Sequence, residues 1–202
     1  LVAIVTGGTT GIGGATARVL ADRGYNLLLV ALEDPSNLEG ELKQSGRQVH
    51  FLRADLSTSE SSALHIINTA ITLFGRIDLL VNCAGMISHK PVSDVVDSDW
   101  DRIVEVNLKA PFFLAQQAHP HLVESKGCII NVSSTNALRP ARENHLYDSL
   151  KAALNNLTQG LALEFRGSGV RVNAIMPGGV KTDLTRSWLK QVLGRDAVEK
   201  DL

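Results

Sequence analysis

The sequence predicts an α/β protein built on a doubly wound parallel sheet with strand order 3-2-1-4-5-6. Short apolar runs of strand length alternate with longer segments of helical period along the whole chain. Such alternation indicates βαβ units whose helices cover both faces of a parallel sheet. The first apolar run also leads directly through a glycine-rich turn into a helical segment. Because crossover connections are right-handed, these units wind outward in both directions from the first strand.

Each element follows from its own local pattern. Apolar runs bounded by turn residues predict six strands, over residues 2–6, 26–31, 48–54, 78–82, 127–132 and 170–176. Helical periodicity predicts helices over residues 12–23, 39–45, 57–74, 98–124 and 145–165. Gly24 and Gly75 are suitable helix ends. The long fourth helix is expected to break near Asn107 and Pro111, since proline disrupts an interior turn.

Length and composition limit the remaining possibilities. A chain of 202 residues without repeats or linkers predicts one domain, 1–202. A formal net charge of −1 gives no reason to expect nucleic acid or an anionic membrane as a partner. The apolar runs are too short to span a membrane, and no basic leader precedes residues 1–5. A cytoplasmic location is therefore predicted.

Cysteine and histidine patterns predict no disulfide and no metal site. Cys83 and Cys128 lack CxxC spacing and fall in apolar strands, which indicates buried, reduced thiols. His119 and His121 lack the i,i+4 spacing of a helical metal site and have no nearby cysteine or acidic pair.

The turn after the first strand can bind an anion. Its backbone amides and the positive end of the following helix attract a phosphate. Gly7 permits the turn, Gly11 lets a pyrophosphate approach the backbone, and Gly13 lets the helix close on the strand. The spacing is G-x-x-x-G-x-G rather than G-x-G-x-x-G, and a glycine-rich turn alone is equally compatible with simple loop punctuation.

A tyrosine and a lysine share one helix face further along the chain. Tyr147 and Lys151 are four residues apart, which places them about one turn apart. A free phenol has a pKa of about 10, and an adjacent ammonium would lower it toward neutrality. The alternative is a solvent-facing pair. Ser134 ends the preceding strand; its neighbour Ser133 is a second candidate, although it should point to the other side.

Taken in chain order, these motifs resemble the short-chain dehydrogenase/reductase family in its compact single-domain form. The glycine turn, Asn82-Cys83-Ala84-Gly85, Asn107, Ser134, the Tyr147–Lys151 segment and Pro177-Gly178-x-x-x-Thr182 all have family counterparts, including the 13-residue step from Ser134 to Tyr147. Cys83 replaces the usual second asparagine, and Leu150 replaces the usual serine before the lysine. The resemblance extends to 3-oxoacyl-[acyl-carrier-protein] reductases.

The resemblance implies a Rossmann fold and an NAD(P)(H)-dependent oxidoreductase that interconverts a carbonyl and a secondary alcohol. Tyr147 is the expected general acid/base, and Ser134 would hold the substrate oxygen. Lys151 would bind the nicotinamide ribose and lower the pKa of the tyrosine. Asn107 would hold, through its backbone, a water that connects Lys151 to solvent. A dinucleotide-binding sensor or assembly subunit without turnover is the alternative.

The resemblance also implies the cofactor contacts. The glycine turn would hold the pyrophosphate. The strand ends near residues 31, 55 and 82 would bind the adenosine and ribose, and the 177–182 segment would bind the nicotinamide. The residues expected at the cofactor are Gly7, Thr9, Thr10, Gly11, Ile12, Gly13, Ala31, Leu32, Asp55, Leu56, Asn82, Ala84, Gly85, Tyr147, Lys151, Pro177, Gly178, Val180 and Thr182.

Cofactor preference depends on the end of the second strand. Ala31 stands where NAD-preferring members carry an aspartate, so the charge that repels a 2′-phosphate is missing. The basic residues of NADP-preferring members are missing too, at Leu32 and Thr10. NADP(H) is predicted as preferred because loss of repulsion matters more than one exposed ion pair. NAD(H) remains possible, with Glu33 as the ribose acceptor.

The same resemblance predicts the role of the last residues and the oligomeric state. Residues 183–202 are expected to begin a substrate lid, with Trp188 and Leu189 as apolar wall residues. The family's further helix and seventh strand are not recognisable after it, and Leu1 suggests that a short leader is missing. The long helices 98–124 and 145–165 match those that pair in family members, which predicts a homodimer or homotetramer. The small-molecule substrate could be a 3-oxoacyl thioester, a sugar or polyol, a steroid or a xenobiotic ketone, and the sequence does not choose among these classes.

Overall fold

The computed structural model describes residues 1–34 and 37–194 and confirms the predicted architecture. Six parallel strands form one sheet in the order β3-β2-β1-β4-β5-β6. The strands are β1 Val2–Thr6, β2 Asn26–Ala31, β3 Val49–Arg53, β4 Leu79–Asn82, β5 Cys128–Val132 and β6 Arg171–Ile175. The helices are α1 Gly11–Asp22, α2 Leu38–Lys43, α3 Ser59–Phe74, α4 Asp97–Val104, α5 Ala110–Ser125, α6 His145–Glu164 and α7 Asp183–Leu193.

Both faces of the sheet are buried, as the continuous apolar strands predict. On one face Ile4, Leu28 and Leu80 pack against α3, α5 and the end of α6. On the other face Ala3 and Leu29 pack against α1 and α2. Successive residues of a strand point to opposite faces, so each inner strand contributes to both cores. This sandwich leaves the carboxyl ends of the strands as the place where loops can form a site.

The long fourth helix is interrupted at one of the two predicted places. Glu105–Lys109 form a π-helical turn between α4 and α5. The fully buried Asn107 lies in this turn, and its Nδ2 donates to the backbone oxygens of Ile103 and Met86, each at 3.0 Å. No break occurs at Pro111, because it lies in the first turn of α5, where a missing N–H is tolerated.

Candidate active site

A cleft of about 380 Å³ opens at the carboxyl ends of the central strands. It brings together most of the residues that the sequence predicts at the site: Gly7, Thr10, Gly11, Ile12, Gly13, Ala84, Gly85, Ser134, Tyr147, Lys151, Pro177, Gly178, Val180 and Thr182. The other predicted residues lie outside its wall, namely Thr9, Ala31, Leu32, Asp55, Leu56, Asn82 and Asn107. One end of the cleft is therefore glycine-rich, and the other carries the tyrosine and lysine.

The glycine turn is closed so tightly that side chains do not fit in it. Gly7 has φ +60°, and a methyl group added there would lie 2.9 Å from the Ala84 Cα atom. A methyl group at Gly13 would lie only 2.1 Å from the Gly7 carbonyl oxygen. The bare backbone that remains is what an anionic group needs for close approach.

The ends of β1 and β4 are joined by a side chain to which the sequence analysis assigns no role. The Thr6 hydroxyl is buried and accepts hydrogen bonds from the backbone N–H groups of Cys83 at 3.1 Å and Ala84 at 3.2 Å. Thr6 thereby fixes the Cys83–Gly85 segment beside the glycine turn. A polar residue at the end of an otherwise apolar strand is the signal that could have singled it out.

Ser134, Tyr147 and Lys151 meet at the opposite end of the cleft. The Ser134 hydroxyl lies close enough to the Tyr147 phenol to lower the pKa of that phenol. The Lys151 Nζ atom lies 5.4 Å from the Tyr147 ring centroid and donates to the Val132 carbonyl at 2.8 Å. The Ser133 hydroxyl turns away and donates to the Lys151 backbone oxygen at 3.0 Å, so of the two serines it is Ser134 that faces the phenol.

Burial controls the pKa values of these groups in the protein alone. It lowers the pKa of Lys151 to about 8, because the ammonium has lost most of its hydration. Burial also raises the pKa of Tyr147, and the neighbouring Ser134 hydroxyl acts in the opposite direction. Contrary to the prediction, Lys151 does not bring the pKa of the Tyr147 phenol below its usual value in the protein alone. The phenol is therefore protonated at neutral pH.

Cys83 lies in the cleft wall, one residue past β4 rather than inside a strand as predicted. Burial raises the pKa of its thiol to about 11, so the sulfur is uncharged at neutral pH. Cys128 is the first residue of β5, and both thiols are free.

A buried carboxylate organises the loop that precedes α6. Asp148 is 3% exposed and follows Tyr147 directly. Its oxygens accept hydrogen bonds from Asn136 Nδ2 at 2.9 Å, Asn144 Nδ2 at 2.7 Å and the Ala141 backbone N–H at 2.6 Å. The family motif assigns no role to this position. An acidic residue on the buried face of a helix is nevertheless unusual, and that is a signal that the sequence contains.

The edge of the sheet beyond the cleft carries the residues predicted for the adenosine. Asp55 caps the turn Leu56–Thr58 by accepting from the Ser57 N–H at 2.9 Å, which lowers the pKa of its carboxyl group. Ala31 ends β2 and is the register partner of Arg53, the last residue of β3. Register partners leave the same face of a sheet, so the Arg53 side chain starts from the sheet beside that of Ala31. The sequence motifs do not reveal this neighbour.

The predicted lid begins with α7. Thr182 caps this helix by accepting from the Thr185 N–H at 3.2 Å, and Trp188 forms part of the cleft wall. The Trp188 ring stands edge-on against His89, with centroids 6.4 Å apart. Leu189 is half-buried outside the cleft wall. Residues 195–202 of the predicted lid lie outside the described residues.

Two features are absent from the described residues 1–34 and 37–194. No group of three or more histidine, cysteine, aspartate or glutamate side chains among them is arranged to hold a metal ion. None of the described helices is long and apolar enough to cross a membrane.

Comparison with known proteins adds relatives that match this chain over most of its length. A short chain dehydrogenase/reductase, astE, of Aspergillus oryzae is 36% identical over 197 residues, covering 95% of this chain and 75% of that protein. An uncharacterized oxidoreductase of Staphylococcus epidermidis is 34% identical over 185 residues, covering 91% of this chain and 80% of the relative.

Solved structures match the fold closely. Acetoin dehydrogenase from Enterobacter cloacae superposes with a TM-score of 0.85 at 35% identity, over 92% of this chain and 75% of that one. A blue fluorescent protein from a metagenomic library, solved in complex with NADPH, superposes with a TM-score of 0.85 at 33% identity. The match covers 91% of this chain and 76% of that one. The family model of short chain dehydrogenases matches residues 1–193. The chain is therefore an oxidoreductase of the short-chain dehydrogenase/reductase family.

Proposed function

We propose that this oxidoreductase uses NADP(H) to interconvert a carbonyl and a secondary alcohol, with Tyr147 as general acid/base. The observation that carries the proposal is that Ser134, Tyr147 and Lys151 line one cleft with the glycine turn, with the Lys151 Nζ atom 5.4 Å from the Tyr147 ring centroid. When bound, the nicotinamide supplies or accepts the hydride. The protein supplies placement and the proton.

The residues present fit a dinucleotide. The space beside Gly7 and Gly13 is too small for any side chain, as the 2.9 Å and 2.1 Å contacts of added methyl groups show. Such a cradle brings backbone N–H groups and the amino end of α1 to one point, which suits a pyrophosphate. Lys151 and the 177–182 segment lie in the same cleft and would hold the ribose and the carboxamide.

Ser134 and Tyr147 perform the proton chemistry in this proposal. Their hydroxyl groups would both donate to the carbonyl oxygen of the substrate. Because burial keeps the phenol protonated at neutral pH, Tyr147 can give its proton to the developing alkoxide during reduction. Alcohol oxidation needs the phenolate instead. We therefore expect oxidation, but not reduction, to accelerate at alkaline pH.

Re-protonation of Tyr147 would pass through Lys151 and Asn107. A methyl group at Gly85 would lie 3.1 Å from Asn107 Oδ1 and 3.5 Å from Lys151 Nζ, so both atoms adjoin Gly85. An α-helical hydrogen bond to the Asn107 carbonyl would need the N–H of residue 111, which proline lacks. The carbonyl is thus available to a water molecule that connects the lysine with solvent.

Two features at the ends of β2 and β3 support the preference for NADP(H). Ala31 carries no charge that would repel a 2′-phosphate, and Arg53 stands beside it in register. A guanidinium is well suited to bind a phosphate. The structural neighbour solved with NADPH agrees with this preference.

The proposal limits the substrate class only to small carbonyl compounds and alcohols. Acetoin dehydrogenases are among the structural neighbours, so hydroxyketones belong in the first substrate panel. The resemblance to 3-oxoacyl-[acyl-carrier-protein] reductases stays a prediction, and so does the cytoplasmic location.

Tyr147→Phe tests the mechanism. The substitution removes only the phenolic hydroxyl, so NADPH should bind as before while ketone-dependent NADPH oxidation falls by about 10²–10⁴-fold, the usual contribution of general acid catalysis. Tyr25→Phe, at the other tyrosine of the chain, is the matched control. Near-normal turnover by Tyr147→Phe would refute the assignment. Tight NADPH binding without turnover on any ketone would favour the non-catalytic sensor or assembly subunit.

We also propose that the chain forms a homodimer or homotetramer through α4, α5 and α6. Large apolar side chains are exposed on these helices, among them Trp100, Phe112 and Leu163. Exposed apolar surface of this kind favours association. Light scattering should show at least a dimer at micromolar concentration, and a monomer would contradict the proposal.

A further inference from the structure

The loop between β5 and α6 is tied to α6 at two points, one on each side of Ser134. On one side, the Ser133 hydroxyl donates to the Lys151 backbone oxygen at 3.0 Å. On the other side, Asn136 Nδ2 donates to Asp148 Oδ1 at 2.9 Å. The two tied residues of α6 are three apart, which is about one turn of the helix. Ser134 is therefore held against α6 from both sides.

The Asp148 carboxylate is the fixed point of the second tie. It is 3% exposed, and both of its oxygens accept hydrogen bonds. Besides the Asn136 amide, Asn144 Nδ2 donates to Oδ1 at 2.7 Å and the Ala141 backbone N–H donates to Oδ2 at 2.6 Å. Three donors meet this one side chain, which suits an ionised carboxylate because that group only accepts. The amide nitrogen of Asn136 must therefore face Asp148.

The backbone of Asn136 acts directly on Ser134. Its N–H donates to Ser134 Oγ at 3.1 Å. A hydroxyl group has one proton and two lone pairs, so this bond uses a lone pair and leaves the proton for another partner. The Tyr147 phenol is close by: burial raises the pKa of that phenol, the Ser134 hydroxyl lowers it, and the charges of Asp148 and Cys83 raise it. The Ser134 proton is thus available to an oxygen atom beside it in the cleft.

We propose that Asp148 is a positioning residue for the reaction, because through Asn136 it holds the loop in which the Ser134 hydroxyl keeps its proton free for oxygen atoms in the cleft. Asp148 itself lies outside the cleft wall, so its effect on the reaction must pass through other residues. The inference rests on the proposed function, since Ser134 must hold the reacting oxygen beside Tyr147.

The connection is best cut at Asn136. Asp148→Ala would leave three donors without their acceptor and destabilise the loop, whereas Asn136→Ala removes one side-chain bond and keeps the backbone N–H. We expect kcat for ketone reduction by NADPH to fall by about tenfold, and by less than in Ser134→Ala.

Asn144→Ala is the matched control. Asn144 and Asn136 donate to the same carboxylate oxygen, and both line the cleft, but the Ser134 hydroxyl accepts only from the Asn136 N–H. The kcat of Asn144→Ala should therefore stay within about twofold of the wild type, even where urea denaturation shows a lower stability.

A double variant shows whether Asn136 acts through Ser134. Ser134→Ala combined with Asn136→Ala should be no slower than Ser134→Ala alone, because the positioned hydroxyl is already gone. A general structural role, or a direct contact of Asn136 with the substrate, would multiply the two losses instead. Multiplied losses, an unchanged kcat in Asn136→Ala, or an equal loss in Asn144→Ala would each overturn the inference.

Titration of the Tyr147 phenol tests the same connection without turnover. In a Tyr25→Phe background Tyr147 is the only tyrosine, so the ultraviolet absorbance of the phenolate reports on it alone. Asn136→Ala should move the titration to higher pH, in the same direction as Ser134→Ala, because a displaced hydroxyl stabilises the phenolate less. Asn144→Ala should leave it in place. A titration that Asn136→Ala does not move would overturn the inference.

The outcomes are separable from those of the proposed function. Absence of NADPH oxidation in the wild type, or full activity in Ser134→Ala, would refute the proposed function. The phenol titration would then still decide whether Asn136 positions the Ser134 hydroxyl.

Discussion

The two halves of the sheet use side chains in opposite ways. In β1, β2 and β3 the buried side chains are apolar except for Thr6, and the site at their carboxyl ends is made by glycines. In and next to β4, β5 and α6 the interior contains several polar side chains. They are Asn82, Asn131, Asp148, Lys151 and Thr158, together with Ser133, which directly follows β5.

This contrast suggests two different sensitivities to mutation. The amino-terminal half forms its part of the site with glycines, which have no side chain. A side chain added at the glycine turn should therefore not be tolerated. The carboxyl-terminal half forms its part with buried polar groups that satisfy one another. Removal of one uncharged member of a hydrogen-bonded pair should therefore destabilise this half, whereas removal of the buried charge of Lys151 should not. Four substitutions break or sharpen this comparison.

Gly13→Ala should have the largest effect. The added methyl group would lie 2.1 Å from the Gly7 carbonyl, so the backbone of the turn must move. We expect a loss of about 3 kcal/mol in the free energy of unfolding, together with loss of cofactor binding. Urea denaturation and NADPH titration measure the two effects. Gly40→Ala in α2, where the added methyl group meets no atom within 4 Å, should leave stability equal or higher.

Asn131→Leu tests the polar half. Asn131 Oδ1 accepts from Asn82 Nδ2 at 2.8 Å, and Asn131 Nδ2 donates to Thr158 Oγ1 at 2.8 Å. The leucine leaves Asn82 buried and unpaired, which should cost about 2 kcal/mol of unfolding free energy. The double variant Asn82→Leu with Asn131→Leu should recover part of that loss, because no polar group is then stranded. Additive losses in the double variant would contradict the network.

Lys151→Met should stabilise the fold at neutral pH. Burial lowers the pKa of this lysine from 10.5 to about 8, so the native state carries a penalty while the ammonium is charged. The gain should be about 1–2 kcal/mol after loss of the bond to Val132. The unfolded chain holds the proton more tightly than the folded one, so the wild-type penalty is full below about pH 8 and disappears as the pH rises toward 10.5.

Urea denaturation at neutral pH and at about pH 10 checks this prediction. The difference between the two proteins should shrink at the higher pH. Lys43→Met, at an exposed lysine of α2, is the control and should show no such pH dependence. A Lys151→Met protein that is less stable than the wild type at neutral pH would refute the prediction.

Arg53→Gln should have the smallest effect, because an exposed charge contributes little. We expect about threefold weaker NADPH binding at low salt and unchanged NADH binding. Arg47→Gln, near the amino end of β3, should change neither. An equal loss for both cofactors would mean that Arg53 does not approach the 2′-phosphate.

The sequence predicted local features well and long-range contacts poorly. The bounds of β1 and β2 agree with the structure, because apolar runs and turn residues define them locally. The π-helical turn at Asn107 was foreseen only as a break, since its geometry depends on bonds to Met86, a distant residue. Arg53 gains its place beside Ala31 from strand register, which no local pattern encodes. The Asp148 contacts depend on a folded loop in the same way.

The contact between Gly11 and Thr182 has a kinetic consequence. A methyl group at Gly11 would lie 3.2 Å from Thr182 Cγ2, so Thr182 lies against the glycine turn. Thr182 is also the N-cap residue of α7. A dinucleotide bound at the turn, as proposed, would therefore bias the position of α7, and by reciprocity α7 would retain the dinucleotide. Initial-rate measurements should then show an ordered mechanism, in which the cofactor enters first and leaves last.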